Sequence, residues 1–165
     1  MNEYVIFTDS CCDIKPGLLE QWGVPYANMT FTFDGEGKEY INADITNKEF
    51  YDRMRKGASA KTAAINADSF ACAFEPILQE GKDILYIAFS SGLSTTVNSA
   101  HMAAEELKEK YPDRKIAIVD TLAASAGGGL MVYMAVAKKN EGASLEENAA
   151  YIASLIPQHC IWFTV

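Results

Sequence analysis

Histidine occurs only twice in this chain, at His101 and His159, and 14 lysines and arginines face 22 aspartates and glutamates. The resulting net charge of -8, with a pI near 4.7, repels a phosphate backbone. No Lys/Arg cluster supplies a local exception, so a nucleic-acid partner is not expected. Long apolar runs are missing as well, and no membrane span is expected. Met1 leads into an apolar segment without a basic region or a small-residue cleavage site. No secretory signal is read, and the expected compartment is the cytoplasm.

The four cysteines form neither a CxxC pair nor a disulfide framework. Cys11 and Cys12 are adjacent, whereas Cys72 and Cys160 stand alone in apolar surroundings and read as buried thiols in a reducing compartment. Neither G-x-x-x-x-G-K-[ST] nor G-x-G-x-x-G is present, so nucleotide binding lacks support. A D-x-D pair is also absent. After Asp9 the next carboxylate is Asp13, which leaves a phosphotransferase or metal site unsupported.

What is present fits one soluble domain. Hydrophobic residues make up 49% and charged residues 22% of 165 positions, enough chain to bury roughly two-thirds of its unfolded surface. A short β-branched and aromatic run, residues 4–8, reads as a first strand, and Pro16 opens a short helix to about Gln21. Residues 24–33 mix apolar and polar positions in a strand-like way. The turn Asp34-Gly-Glu-Gly37 then closes a small hairpin with residues 38–41. Thr46-Asn-Lys-Glu49 and Ser144-Leu-Glu-Glu147 are capping boxes that open helices.

Asn66 or Asp68 caps a further helix with Phe70, Phe74, Ile77 and Leu78 on one face, although Pro76 interrupts it. Residues 84–89 form a strand that is apolar on both faces. A helix follows from about Thr95 to Tyr111, and residues 116–119 repeat the strand pattern up to Asp120. Gly127 to Gly129 begin another helix, where they allow close approach to the sheet. Residues 161–165 read as one more strand. Strands alternating with helices, several of them apolar throughout, predict an α/β three-layer sandwich around a mainly parallel, Rossmann-like sheet.

In such a sheet, ligands bind outside the carboxyl ends of the strands. Thr8-Asp9-Ser10, Ser90 to Thr96 and Asp120-Thr121 all leave strands at that edge. Ser94, Thr95 and Asp120 could each simply cap a helix or turn, but three convergent hydroxyl-rich loops favour a site. One reading is enzymatic, because Gly92-Leu-Ser94-Thr-Thr96 resembles the G-x-S-x-G nucleophile elbow of a serine hydrolase, with Ser94 as nucleophile. The closing glycine is missing, and His101 lies about 10 Å along the helix that Ser94 would begin, which leaves only His159, without a partner motif, as a base. The other reading is anion binding without chemistry. Free amides at the start of that helix, with nearby hydroxyls, suit a carboxylate or phosphate.

These segments together resemble the N-terminal domain of the DegV family of bacterial fatty-acid-binding proteins, over essentially the whole chain. Thr8-Asp9-Ser10-Cys-Cys-Asp13 is similar to the family's T-D-S-x-x-D signature. Gly37-Lys-Glu-Tyr40, Asp44-Ile-Thr46, Phe50-Tyr51, Ser90-Ser91-Gly92-Leu-Ser94, Ser99-Ala100, Val119-Asp120-Thr121 and Ser125 follow its pattern in order.

The resemblance implies a non-catalytic protein with no cofactor. It implies a long-chain fatty acid as ligand, whose carboxylate is held by Thr62 and Ser94, with Thr8, Asp9, Ser10, Ser91, Gly92, Thr95, Asp120 and Ser125 around it. It also implies presentation of that ligand to a fatty-acid kinase that forms an acyl phosphate. The chain departs from the pattern at Thr62-Ala-Ala-Ile-Asn66, which lacks a second hydroxyl and a proline, and at Thr95, which replaces a common glycine. Family members continue into a second α/β domain that covers the lipid. The expectation is therefore an N-terminal piece with one tunnel wall absent, and self-association through the apolar face left exposed.

Overall fold

The computed structural model describes residues 3–162. Four parallel strands make the main sheet: β1 (Tyr4–Asp9), β2 (Tyr26–Ala27), β6 (Asp83–Ala88) and β7 (Ile116–Asp120), in the order β2-β1-β6-β7. A second, antiparallel sheet has the order β4-β3-β5, from β3 (Thr30–Phe33), β4 (Glu39–Tyr40) and β5 (Ala60–Ala63). The helices are α1 (Pro16–Gln21), α2 (Asn47–Arg55), α3 (Ala67–Gln79), α4 (Thr96–Lys110), α5 (Ser125–Asn140) and α6 (Leu145–Leu155).

Strand alternation assigns the two faces of the main sheet. Tyr4 and Ile6 of β1, with Leu85 and Ile87 of β6, pack against Leu19 of α1, Met131, Val132 and Ala135 of α5, and Leu145 and Ile152 of α6. The opposite positions Phe7, Ile84, Tyr86 and Ala88 pack against Phe70, Phe74 and Leu78 of α3 and Val97, Ala100, Ala103 and Leu107 of α4. Every residue of β6 is buried, which is why this strand is apolar at successive positions. The result is the three-layer α/β/α sandwich expected from the sequence.

Strand order fixes the switch point. From β1 the chain crosses to β2 by α1 on one face, and β6 reaches β7 by α4 on the other. The crevice between β1 and β6, at their carboxyl ends, is therefore where ligand chemistry is expected.

The small sheet has its own core of Phe31, Phe33 and Tyr40, closed by Ile45 and Phe50 beside α2, with the Arg53 guanidinium 4.9 Å from the Phe33 ring. The predicted hairpin is present, with Phe31 opposite Tyr40 and Thr32 opposite Glu39. Both capping boxes open helices: Thr46 Oγ1 accepts the Glu49 N–H at 3.1 Å, and Ser144 and Glu147 cap each other reciprocally.

Four expectations need correction. Residues 24–33 are two strands in different sheets, because Ser10 Oγ takes the Met29 N–H at 3.0 Å and turns the chain between them. Residues 60–63, to which the sequence assigned no element, form β5, and Thr62 sits in it opposite Phe31. Cys72 and Cys160 are exposed: Cys72 points off the α3 face that carries Phe70 and Phe74, and Cys160 takes a hydrogen bond from Trp162 Nε1. In the strand expected at 161–165, residues 161 and 162 lie outside any strand, and 163–165 fall outside the described residues.

The triple glycine acts on a turn. A Cβ on Gly129 would stand 2.7 Å from the Cys12 carbonyl oxygen, so α5 approaches the short 3-10 turn Ser10–Cys12 that follows β1.

Candidate ligand-binding site

The loop after β6 is built on Ser90. Its carbonyl accepts the Leu93 and Ser94 N–H groups at 3.1 and 3.2 Å, and its buried Oγ accepts the Gly92 N–H at 3.2 Å. Ser94 Oγ then accepts the Thr96 N–H at 3.2 Å and lies 2.9 Å from Thr96 Oγ1. Thr95 is the N-cap of α4 without a side-chain cap bond, and it is exposed. The turn is thus shaped by its own hydroxyls, which also take up the Thr96 N–H at the start of α4.

Asp120 joins this loop to the one after β7. Its Oδ1 accepts the Ser91 N–H at 3.1 Å and the Leu122 N–H at 3.2 Å. Leu93 and Leu122, at 52% and 59% exposure, therefore lie on loops that one carboxylate holds together. Leu122 and Ser125 have φ of 51° and 50°, and Asp13, after β1, has 52°. These are the three non-glycine residues with positive φ among the described residues, and all of them follow strands at the ligand edge.

Thr8 and Asp9 face inward. Thr8 Oγ1 donates to the Ile87 carbonyl at 3.1 Å, and both Asp9 oxygens are occupied by protein donors. Both residues are buried, so neither offers a free group to a ligand. Ser10 Oγ is engaged with Met29, while Ser125 is exposed at the first position of α5. Burial and then Asp9 push the Cys11 thiol well above its ordinary range.

Thr62 shares the face of the small sheet that carries Phe31. It lines a cavity of about 410 Å³ with Asp13, Asn42, Asn47, Ile45 and Tyr51. Ser94 is not on that wall. The two are connected through Thr96, whose Oγ1 meets Ser94 and also accepts the Ile65 N–H at 3.3 Å, three residues after Thr62. Thr96 is a residue that sequence reasoning missed. The signal was available, as a third hydroxyl at a helix start, but its partner on another segment was not. The Asp13, Asn42 and Asn47 wall was missed too, with no local signal to mark it.

The Ser94 hydroxyl meets Thr96 and no imidazole, and His101 is on an exposed face of α4. The hydrolase arrangement is therefore not formed. Among the described residues, no group of three or more His, Cys, Asp or Glu is placed to hold a metal, and no helix is long and apolar enough to cross a membrane.

Comparison with known proteins agrees with this architecture. A DegV domain-containing protein of Clostridium perfringens is 40% identical over 166 residues, covering 100% of this chain and 57% of that protein. A structure described as "Fatty Acid Binding of a DegV family Protein from Thermus thermophilus" superposes with a TM-score of 0.83 at 33% identity, covering 95% of this chain and 54% of that one. A stearic acid-binding protein from Eubacterium ventriosum gives a TM-score of 0.83 at 28% identity, covering 90% and 52%. The chain spans about half the length of the relatives it matches. The model of the family described as "Uncharacterised protein, DegV family" matches residues 3–165, and the chain belongs to the DegV family.

Proposed function

We propose that this chain binds a long-chain fatty acid, with the carboxylate at the Ser90–Thr96 turn and the acyl chain on the neighbouring apolar surface. The observation that carries the reading is the tie through Asp120. It holds the loop of exposed Leu93, which also carries Ser94 and Thr95, to the loop of exposed Leu122. An amphipathic anion needs two surfaces together: hydroxyls for its head, apolar area for its tail. Each buried methylene contributes about 0.8 kcal/mol, so the tail supplies affinity and the head supplies orientation. The fatty-acid-binding descriptions of the Thermus thermophilus and Eubacterium ventriosum proteins support the same class of ligand.

In this proposal Ser94 and Thr62 are the hydroxyls that face the carboxylate, and presentation of that carboxylate to a kinase is its metabolic use. No chemistry on the chain itself is required. The test is titration of palmitate into the wild type and the Thr62→Ala, Ser94→Ala double variant. Affinity should fall with the melting temperature nearly unchanged. Undiminished affinity in the double variant overturns the head-group assignment.

A further inference from the structure

The backbone ladder between β1 and β6 runs from Tyr4 opposite Asp83 to Phe7 opposite Tyr86. On its other edge β1 pairs with β2, where Thr8 and Asp9 stand opposite Tyr26 and Ala27. Beyond the last paired residues, Phe7 and Tyr86, side chains of β1 bond to the end of β6 and the residue after it. Thr8 Oγ1 donates to the Ile87 carbonyl, and Asp9 Oδ2 accepts both the Tyr86 hydroxyl at 2.7 Å and the Phe89 N–H at 2.9 Å. Asp9 Oδ1 accepts the Cys11 N–H at 3.0 Å, which fixes the turn after β1 as well. Asp9 is 2% exposed and Tyr86 is 0% exposed, with the Tyr86 ring packed on Phe7 and Phe70.

We propose that Asp9 is a positioning residue for the head-group site: its buried carboxylate clamps the carboxyl ends of β1 and β6 and so sets where the Ser90–Thr96 turn stands. The proposal rests on the fatty-acid reading for its ligand and on the hydrogen bonds alone for its geometry. From the clamped Phe89 N–H the next residue is Ser90, whose carbonyl and hydroxyl organise Gly92, Leu93 and Ser94. A small displacement at Phe89 is therefore carried to Ser94 through a short, fully bonded turn. Direct contact between Asp9 and a bound carboxylate would set two like charges together, an arrangement each group disfavours. With three protein donors on its oxygens, Asp9 instead acts from beneath the site.

The test uses the whole chain with Asp9→Asn and Tyr86→Phe, palmitate and hexadecanol as probes, and amide hydrogen exchange of the ligand-free protein. Asparagine keeps the size of the side chain, but its amide nitrogen cannot accept a hydrogen bond. In Asp9→Asn, exchange of the 89–96 amides should rise about tenfold or more while α5 amides stay protected. Palmitate affinity should fall about tenfold, and hexadecanol affinity should change far less. Tyr86→Phe removes one donor of three and should shift both readouts the same way, by less. It also carries the test should the asparagine variant fail to fold. Unchanged exchange at 89–96, or equal losses for acid and alcohol, overturns the proposal. A wild type that binds no palmitate refutes the ligand reading and leaves the exchange measurement to decide the clamp.

Discussion

Thr96 Oγ1 lies 2.9 Å from Ser94 Oγ and also accepts the Ile65 N–H at 3.3 Å, so one buried hydroxyl joins the turn after β6 to the segment leaving β5. Replacement by valine keeps the shape and removes both bonds. The Ile65 N–H is then buried without an acceptor, which costs about 1–3 kcal/mol. Thr96→Val should lower the free energy of unfolding by that amount and weaken palmitate binding, because Ser94 loses the partner that orients it. A variant with unchanged stability and affinity would show that this hydroxyl is dispensable.

Gly128 and Gly129 are both buried at the start of α5, yet they should respond in opposite ways to alanine. At Gly129 the added Cβ meets the Cys12 carbonyl oxygen at 2.7 Å and Ile14 Cγ1 at 3.1 Å, and the first of these is backbone that cannot step aside. Gly129→Ala should therefore cost about 1–3 kcal/mol. At Gly128 the nearest atom is Cys12 Cα at 3.8 Å, an ordinary contact. Gly128→Ala should be neutral or gain up to about 1 kcal/mol from helix propensity. Urea denaturation of the two variants decides it, and equal effects would contradict the packing described.

The main sheet was legible in the sequence because its signals are local. β6 is apolar at consecutive positions since both its faces are covered, and Phe70, Phe74 and Leu78 mark the buried side of α3. β5 carried no such mark. Ala60-Lys-Thr-Ala63 has neither branched apolar residues nor alternation, and it is a strand only because Phe31 to Phe33 lie beside it. The role of Asp9 was hidden for the same reason. An aspartate after a first strand looks like a ligand group, and the hydroxyl that turns it inward belongs to Tyr86, 77 positions away. The resemblance paired Thr62 with Ser94, but the link between their segments runs through Thr96 and Ile65, which only the tertiary structure joins.

Burial raises the Asp9 pKa above the ordinary carboxylate range, against the lowering effect of the Tyr86 hydroxyl and the Phe89 and Cys11 amides. A raised folded value means that the native state holds this proton more tightly than the unfolded state does. The Asp9 contribution to stability is therefore greatest below the unfolded pKa, falls as pH climbs through the window up to the folded value, and is constant above it. Asp9→Asn removes the titration. The stability difference between wild type and variant should accordingly shrink as pH rises from about 4, the unfolded carboxylate range, towards neutrality. Denaturation of both proteins across that range checks the sign, and a difference that grows with pH would contradict it.

Asn148, fully buried between α6, α5 and β1, tests how a polar group is tolerated in the core. Its Nδ2 donates to the Ala135 carbonyl at 2.8 Å and to Tyr4 Oη at 3.0 Å, while its Oδ1 has no partner. Tyr4 in turn donates to the Ala143 carbonyl at 3.1 Å, so its hydroxyl stays bonded whatever stands at 148. Ala135 lies inside α5, where the helix's own N–H ladder supplies its carbonyl. Leucine, of similar size, therefore strands neither neighbour and removes the orphan oxygen. Asn148→Leu should lie within about 1.5 kcal/mol of wild type. Aspartate changes the sign of the contact, because an acceptor oxygen then faces the Ala135 carbonyl and an ionised group is buried without a cation. Asn148→Asp should cost about 3 kcal/mol or more at neutral pH and recover part of that loss in acid, where the new carboxyl is protonated. Denaturation of both variants at pH 5 and 7 separates the mechanisms. An aspartate variant as stable as the leucine one would mean that water reaches Asn148, and that the interface of α6 with β1 is open rather than packed.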